Sequence, residues 1–112
     1  MSRPTQKSEV IRSRAIRESA SGQACTVRSP LCNGDSDTTV WAHSNLGAHG
    51  KGMGHKASDL FGCYACAACH MWLDAGGASR EEKELAFLRA WALSLAVLVD
   101  LGIVSVREVG RG

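Results

Sequence analysis

Cys66, Cys69 and His70 stand in the string Cys66-Ala-Ala-Cys69-His70, and two unrelated chemistries use that C-x-x-C-H spacing. In exported proteins it attaches c-type haem. It can equally supply two thiolates to a four-cysteine zinc site and aim the histidine at a second metal. An upstream pair decides between them. Cys25 and Cys32 are separated by six residues, and haem attachment has no use for them. A C-x6-C pair and a C-x2-C pair, each on a tight turn, suit one tetrahedral Zn²⁺. Four thiolates leave no open coordination position, so this zinc is expected to be structural. The fifth cysteine, Cys63, is expected to be a packed free thiol, because an odd count argues against a complete disulfide framework.

Other side chains can do different work. On a helix starting near Cys69, His70 and Asp74 are four residues apart and share a face, where they can approach a hard divalent cation together. His43, at the end of an apolar run, is a candidate general base, since a neutral imidazole accepts a proton near pH 7. Asp59 lies between His43 and the C-x-x-C-H string. The stretch from Gly47 to Gly54 holds Lys51 but lacks the Gly-Lys-Ser/Thr ending of a phosphate-binding P-loop, so that reading is rejected.

The elements that must hold these residues follow from local pattern. A short helix is expected from Ser8 to about Ser19 on Val10, Ile11, Ala15 and Ile16. Asn33-Gly34 marks a tight turn in the first cysteine loop. Thr38 to His43 is the best strand candidate, rich in β-branched and aromatic residues. Ser58 to Phe61 can open a helical turn, and Cys66 to about Asp74 runs from a metal-binding turn into a helix stopped at Gly76-Gly77. Ser79 and Glu82 have capping-box spacing, so a long helix should start there and end at Gly102. Its Leu85, Leu88, Ala92, Leu95 and Val99 follow 3-4 spacing, with Trp91 and Leu98 on another flank; helix packing is the expected role, and a homodimer interface is the alternative. Residues 103–108 can add a short strand. These elements divide the chain into a basic N-terminal arm (1–20), a zinc-bound core (21–78) and a C-terminal helix and tail (79–112).

Composition narrows the class. A chain of 112 residues with 5% aromatics and twelve glycines builds one modest core, which a structural metal would reinforce. The first twenty residues carry five Lys/Arg against two Glu and no apolar signal segment, so a reducing cytoplasm is expected, with no membrane span. The net charge of +2 permits nucleic-acid binding without demanding it. Arg28, Lys51 and Lys56 are the candidate DNA-contact residues of this basic set.

The order His43, Asp59-Leu60, Cys66-x2-Cys69-His70 resembles the HNH, or His-Me finger, nuclease superfamily. More closely, Gln23-Ala-Cys25-Thr-Val-Arg28, Cys32-Asn-Gly34, Ala42-His43, Gly52-Met-Gly54-x-Lys56 and Cys66-x2-Cys69-His70-x3-Asp74 resemble a family of small nucleases of lambdoid phages and prophages, similar to the RecA-directed phage nuclease Ref. The resemblance implies an α+β fold: a small zinc-stabilised ββα-metal core followed by a long C-terminal helix. It implies a DNA endonuclease or nicking enzyme of recombination, repair or processing, with RecA or other recombination proteins as possible partners. His43 would be the general base, Asp59 would orient it or touch the metal, and His70 would ligate a catalytic Mg²⁺ or Mn²⁺. Two positions depart from the superfamily pattern: Ala42 stands where an aspartate commonly binds the metal, and Asp59 replaces an asparagine. Asp74 is the candidate substitute carboxylate. The alternative reading, favoured by Ala42, is a non-catalytic zinc module that binds DNA or protein.

Overall fold

The computed structural model describes residues 10–46, 49 and 56–108. Their elements follow in the order α1 (Arg14–Glu18), a 3-10 turn (Ser36–Thr38), β1 (Val40–His43), β2 (Gly62–Ala65), α2 (Ala67–Ala75) and α3 (Arg80–Asp100). The two strands pair antiparallel with Val40 opposite Ala65, Trp41 opposite Tyr64, Ala42 opposite Cys63 and His43 opposite Gly62.

Successive side chains on a strand point to opposite faces, so the hairpin separates two apolar clusters. Ala42, Cys63 and Ala65 face Cys25, Cys66, Cys69, Trp72 and Leu73 on the cysteine side. Trp41 and Tyr64 face Ile16, Ala20 and Leu98 on the other. The helix α3 contributes Phe87 and Ala90 to the first cluster and Leu98 to the second. It therefore spans the whole length of the core.

A two-stranded ribbon leaves backbone groups unpaired on each outer edge, and buried ones must find partners. On β2 they do. Thr26 N–H and Thr26 Oγ1 both donate to Tyr64 O, while Tyr64 N–H donates to Ser94 Oγ on α3. Ser94 Oγ in turn donates to Ala90 O and meets Thr26 Oγ1. One serine thus fastens strand, helix and N-terminal loop at a single point.

Several boundaries differ from the sequence reading. The helix expected over 8–19 shrinks to five residues capped by Ser13, and residues 1–9 lie outside the described part. Ile11 instead runs alongside the Ser58-Asp59 turn: Ile11 N–H donates to Ser58 Oγ, and Asp59 N–H donates to Ile11 O. The strand expected over 38–43 starts at Val40, because Asp35 caps a turn through Thr38. No strand forms over the described residues 103–108. The chain reverses after α3 in a Schellman-type turn, with Gly102 at φ +75, Gly102 N–H donating to Val99 O and Ile103 N–H to Leu98 O. The capping box is present as expected, with Ser79 Oγ accepting from Glu82 N–H and Glu82 Oε1 from Ser79 N–H. The heptad stripe of α3, however, is not the face that packs. Phe87, Ala90, Ser94 and Leu98 are buried, while Leu85, Leu88 and Val99 are 59%, 41% and 48% exposed.

Candidate functional site

The cysteine quartet assembles as the spacing requires. The sulfur atoms of Cys25, Cys32, Cys66 and Cys69 all lie within 4.8 Å of one another, and no cysteine is in a disulfide. Cys66 is the N-cap of α2, so the second pair comes off a helix start, and Cys66 Sγ accepts from Cys69 N–H. The first pair comes off a loop in which Arg28 adopts a left-handed φ of 53. The following residue then turns inward: Ser29 N–H and Oγ both lie within hydrogen-bond reach of Cys69 Sγ, at 3.3 and 3.2 Å. Such N–H donors stabilise thiolates and orient them toward a metal.

The thiols of the quartet differ in acidity. Burial opposes ionisation of Cys66, but the N–H groups of Asn33 and Cys69 and the thiols of Cys69 and Cys32 outweigh it and bring its pKa to about 6. Burial, only partly offset by Ser29 and reinforced by Cys25 and Cys66, pushes Cys69 up to about 12. Four sulfurs within 4.8 Å of one another resist sharing negative charge unless a metal ion neutralises it. The donor set, four soft thiolates in a closed cluster, fits Zn²⁺. Cys63 stays outside the quartet, fully buried, with its thiol pushed up by burial.

On the other face of the hairpin, His43 Nε2 lies 2.6 Å from Asp59 Oδ1. Asp59 is 1% exposed and heavily partnered. Its Oδ2 accepts from Ser13 N–H at 2.7 Å and from Arg17 Nη1, and Arg12 Nη1 lies 3.5 Å from Oδ1. Burial works against its ionisation, but His43, the Ser13 N–H and Arg17 together hold its carboxyl below the usual aspartate value. The turn carrying Asp59 is itself anchored: Trp41 Nε1 donates to Asp59 O, and Arg12 donates to the carbonyls of Lys56 and Ala57.

His70 and Asp74 lie on α2 as expected, His70 Nε2 being 3.5 Å from Asp74 Oδ2, and both are exposed by about half. Asn45 Nδ2 donates to Asp74 Oδ1, which brings the segment after β1 onto this pair. Thr38, Val40 and Met71 complete a shallow depression of about 370 Å³ around them. Val40, which lines this depression, and His43 belong to opposite faces of β1. The structure joins His43 to Asp59 and His70 to Asp74. Among the described residues, only the cysteines form a cluster of three or more metal-donor side chains.

The remaining candidates are peripheral. Ala42 is 2% exposed and packs in the cysteine-side core, so no polar group comes from that position. Lys56 and Arg28 are exposed. Lys51 lies outside the described residues, as does all of the Gly47–Gly54 loop except His49. His49 stacks on Phe61 at 4.3 Å and shares a 2.7 Å hydrogen bond with Ser44 Oγ; burial lowers its pKa.

Four basic residues escaped the sequence reading as site residues. Arg12 and Arg17 read as part of a solvated basic arm, and the only signal for their role is that a buried Asp59 would need cations. Arg80 and Lys83 read as the first turn of a helix, yet they line a cleft of about 320 Å³ with Asn45 and Leu46.

Comparison with known proteins follows these contours. No curated protein matches the chain. A solved structure described as "Structure of a putative bacteriophage protein from Escherichia coli str. K-12 substr. MG1655" is similar, with a TM-score of 0.64 and 27% identity, over 79% of this chain and 100% of that one. Residues 14–99 match the family model "Putative nuclease YbcO". That span runs from α1 to the last turn of α3 and takes in all four clustered cysteines with His43, Asp59, His70 and Asp74, so the chain belongs to the YbcO family.

Proposed function

We propose that this protein is a zinc-stapled, metal-dependent DNA endonuclease or nicking enzyme of phage origin, with His43 as its general base. The observation that carries the reading is the short contact between His43 Nε2 and the buried carboxylate of Asp59. A base held by a third group is the recurring arrangement for activating a nucleophile. An ionised carboxylate only accepts hydrogen bonds, so His43 donates Nε2–H to Asp59 and keeps Nδ1 as the proton acceptor. Nδ1 takes a proton from water as that water's oxygen bonds to phosphorus. The P–O bond to the departing oxygen breaks, and that oxygen takes a proton from solvent. Asp59 then faces the imidazolium and stabilises its charge.

The donors His70 and Asp74 fit a loosely held Mg²⁺ or Mn²⁺, whose shell normally includes waters and phosphate oxygens beside one or two carboxylates. Such an ion supplies Lewis-acid stabilisation of charge on the phosphate and the departing oxygen. The order β1–β2–α2, with one histidine ending β1 and another on α2, agrees with a ββα-metal nuclease of the HNH type. Lys51, Lys56 and Arg28 would contact backbone phosphates, which position DNA without reading its sequence.

Plasmid nicking in Mg²⁺ or Mn²⁺ tests the proposal. Wild type should convert supercoiled to open-circular DNA, and His43→Ala should be slower by about 10² to 10⁴-fold, the usual contribution of a general base. His70→Ala should lose the divalent-ion response while keeping its zinc and its thermal midpoint. Absence of cleavage over a range of metals and DNA structures would sink the enzyme reading. The buried Ala42 would then favour the second one, a non-catalytic zinc module that binds DNA or protein.

A further inference from the structure

Most of the apolar stripe on α3 is left uncovered by the chain itself. Leu85, Leu88, Ala92, Leu95 and Val99 occupy successive a and d positions, two heptads and the first position of a third. Leu85, Leu88, Ala92 and Val99 are exposed, Leu95 is half-buried against the cluster of Trp41 and Tyr64, and the fully buried residues of the helix lie on a different face. From Leu85 to Val99 the row runs for about 21 Å at the standard helical rise. Single exposed leucines are ordinary on a monomer, but a continuous row marks an interface.

The charges beside the row indicate what covers it. Glu84 holds position g and Arg89 position e of the next heptad. Five residues apart, they point to different sides of one helix and are not neighbours within it. In a parallel helix pair, however, g of one chain faces the following e of the other. Opposite charges at that step are complementary to the same surface turned about a two-fold axis, and such an isologous contact closes as a dimer.

We propose that α3 is the interface of a parallel homodimer, in which the stripe packs against that of a second copy and Glu84 pairs with the partner's Arg89. The helix is already ordered by its packing on β2 and the core, so association does not have to nucleate it. Two heptads make a small interface, which places dissociation on the order of micromolar.

Sedimentation equilibrium of the full chain, from about 1 to 300 µM around that range, tests this. The weight-average mass should rise toward twice that of one chain. Leu88→Glu should remain monomeric throughout, with wild-type circular dichroism and metal content, since Leu88 is exposed and off the buried face of the helix; Val99→Lys serves if that variant fails to fold. Glu84→Arg should weaken association at least tenfold, and Glu84→Arg combined with Arg89→Glu in the same chain should restore it. A wild type that stays monomeric at the highest concentration overturns the proposal and leaves the stripe to a different partner. Dimers that survive Leu88→Glu, or a double reversal no better than Glu84→Arg alone, overturn it as well.

Discussion

Asp59 is the residue on which the His43 site turns, because one buried carboxylate answers an imidazole, two guanidinium groups and a backbone N–H. Its lowered pKa carries a signed consequence. The folded state binds this proton less tightly than the unfolded chain, so the stability involved is complete above the ordinary value of 3.8 and is lost as pH falls through the folded value. Wild type should therefore lose more stability than Asp59→Asn between about pH 4 and pH 2, read as thermal midpoints against pH. At neutral pH the same substitution should cost roughly 1–3 kcal/mol, since it leaves Arg17 facing a neutral amide. It should also slow nicking, because an amide no longer fixes the tautomer of His43. Spacing alone makes the four cysteines legible, while the order of a familiar motif leaves Asp59 either to orient His43 or to touch a metal, and the structure sets it against His43. Arg12 and Arg17 are not legible, since contacts spanning more than forty residues leave no local pattern.

Among the elements, the hairpin owes its shape to a glycine. A Cβ on Gly62 would come within 2.4 Å of the Trp41 ring, the ring whose Nε1–H holds Asp59 O. Gly62→Ala should cost about 1–3 kcal/mol by overpacking and also disturb His43, which pairs directly opposite Gly62. Chemical denaturation together with the nicking rate would measure both effects; unchanged values would contradict this account of the hairpin. The strand β2 was hard to read because all four of its residues are buried and two are Gly and Cys, so neither alternation nor β-branched side chains announce it. The N-terminal helix is shorter than its apolar pattern predicts, because Val10 and Ile11 are apolar yet exposed and lie ahead of it. In α3 the capping box gave the start, but the buried face includes Ala90 and Ser94 and is less apolar than the outward one. Periodicity identifies a stripe; it does not say which side the domain will cover.

For the molecule as a whole, the cysteine quartet joins the loop at Cys25–Cys32 to the start of α2, segments that share no strand pairing. Purified protein should carry about one zinc per chain, as expected for a single four-thiolate site. Cys69→Ser should carry none and unfold at least several degrees lower, because metal binding energy is folding energy here. Equal thermal midpoints for the two proteins, or metal-free wild type by elemental analysis, would refute a structural role. No helix among the described residues is long and apolar enough to cross a membrane. The hydrogen bonds of Ile11, Arg12 and Ser13 to the Ser58-Asp59 turn have a practical corollary. A purification handle at the amino terminus is joined to the segment that braces the imidazole's carboxylate partner, so cleavage is best measured on protein tagged at the other end or on protein with no tag.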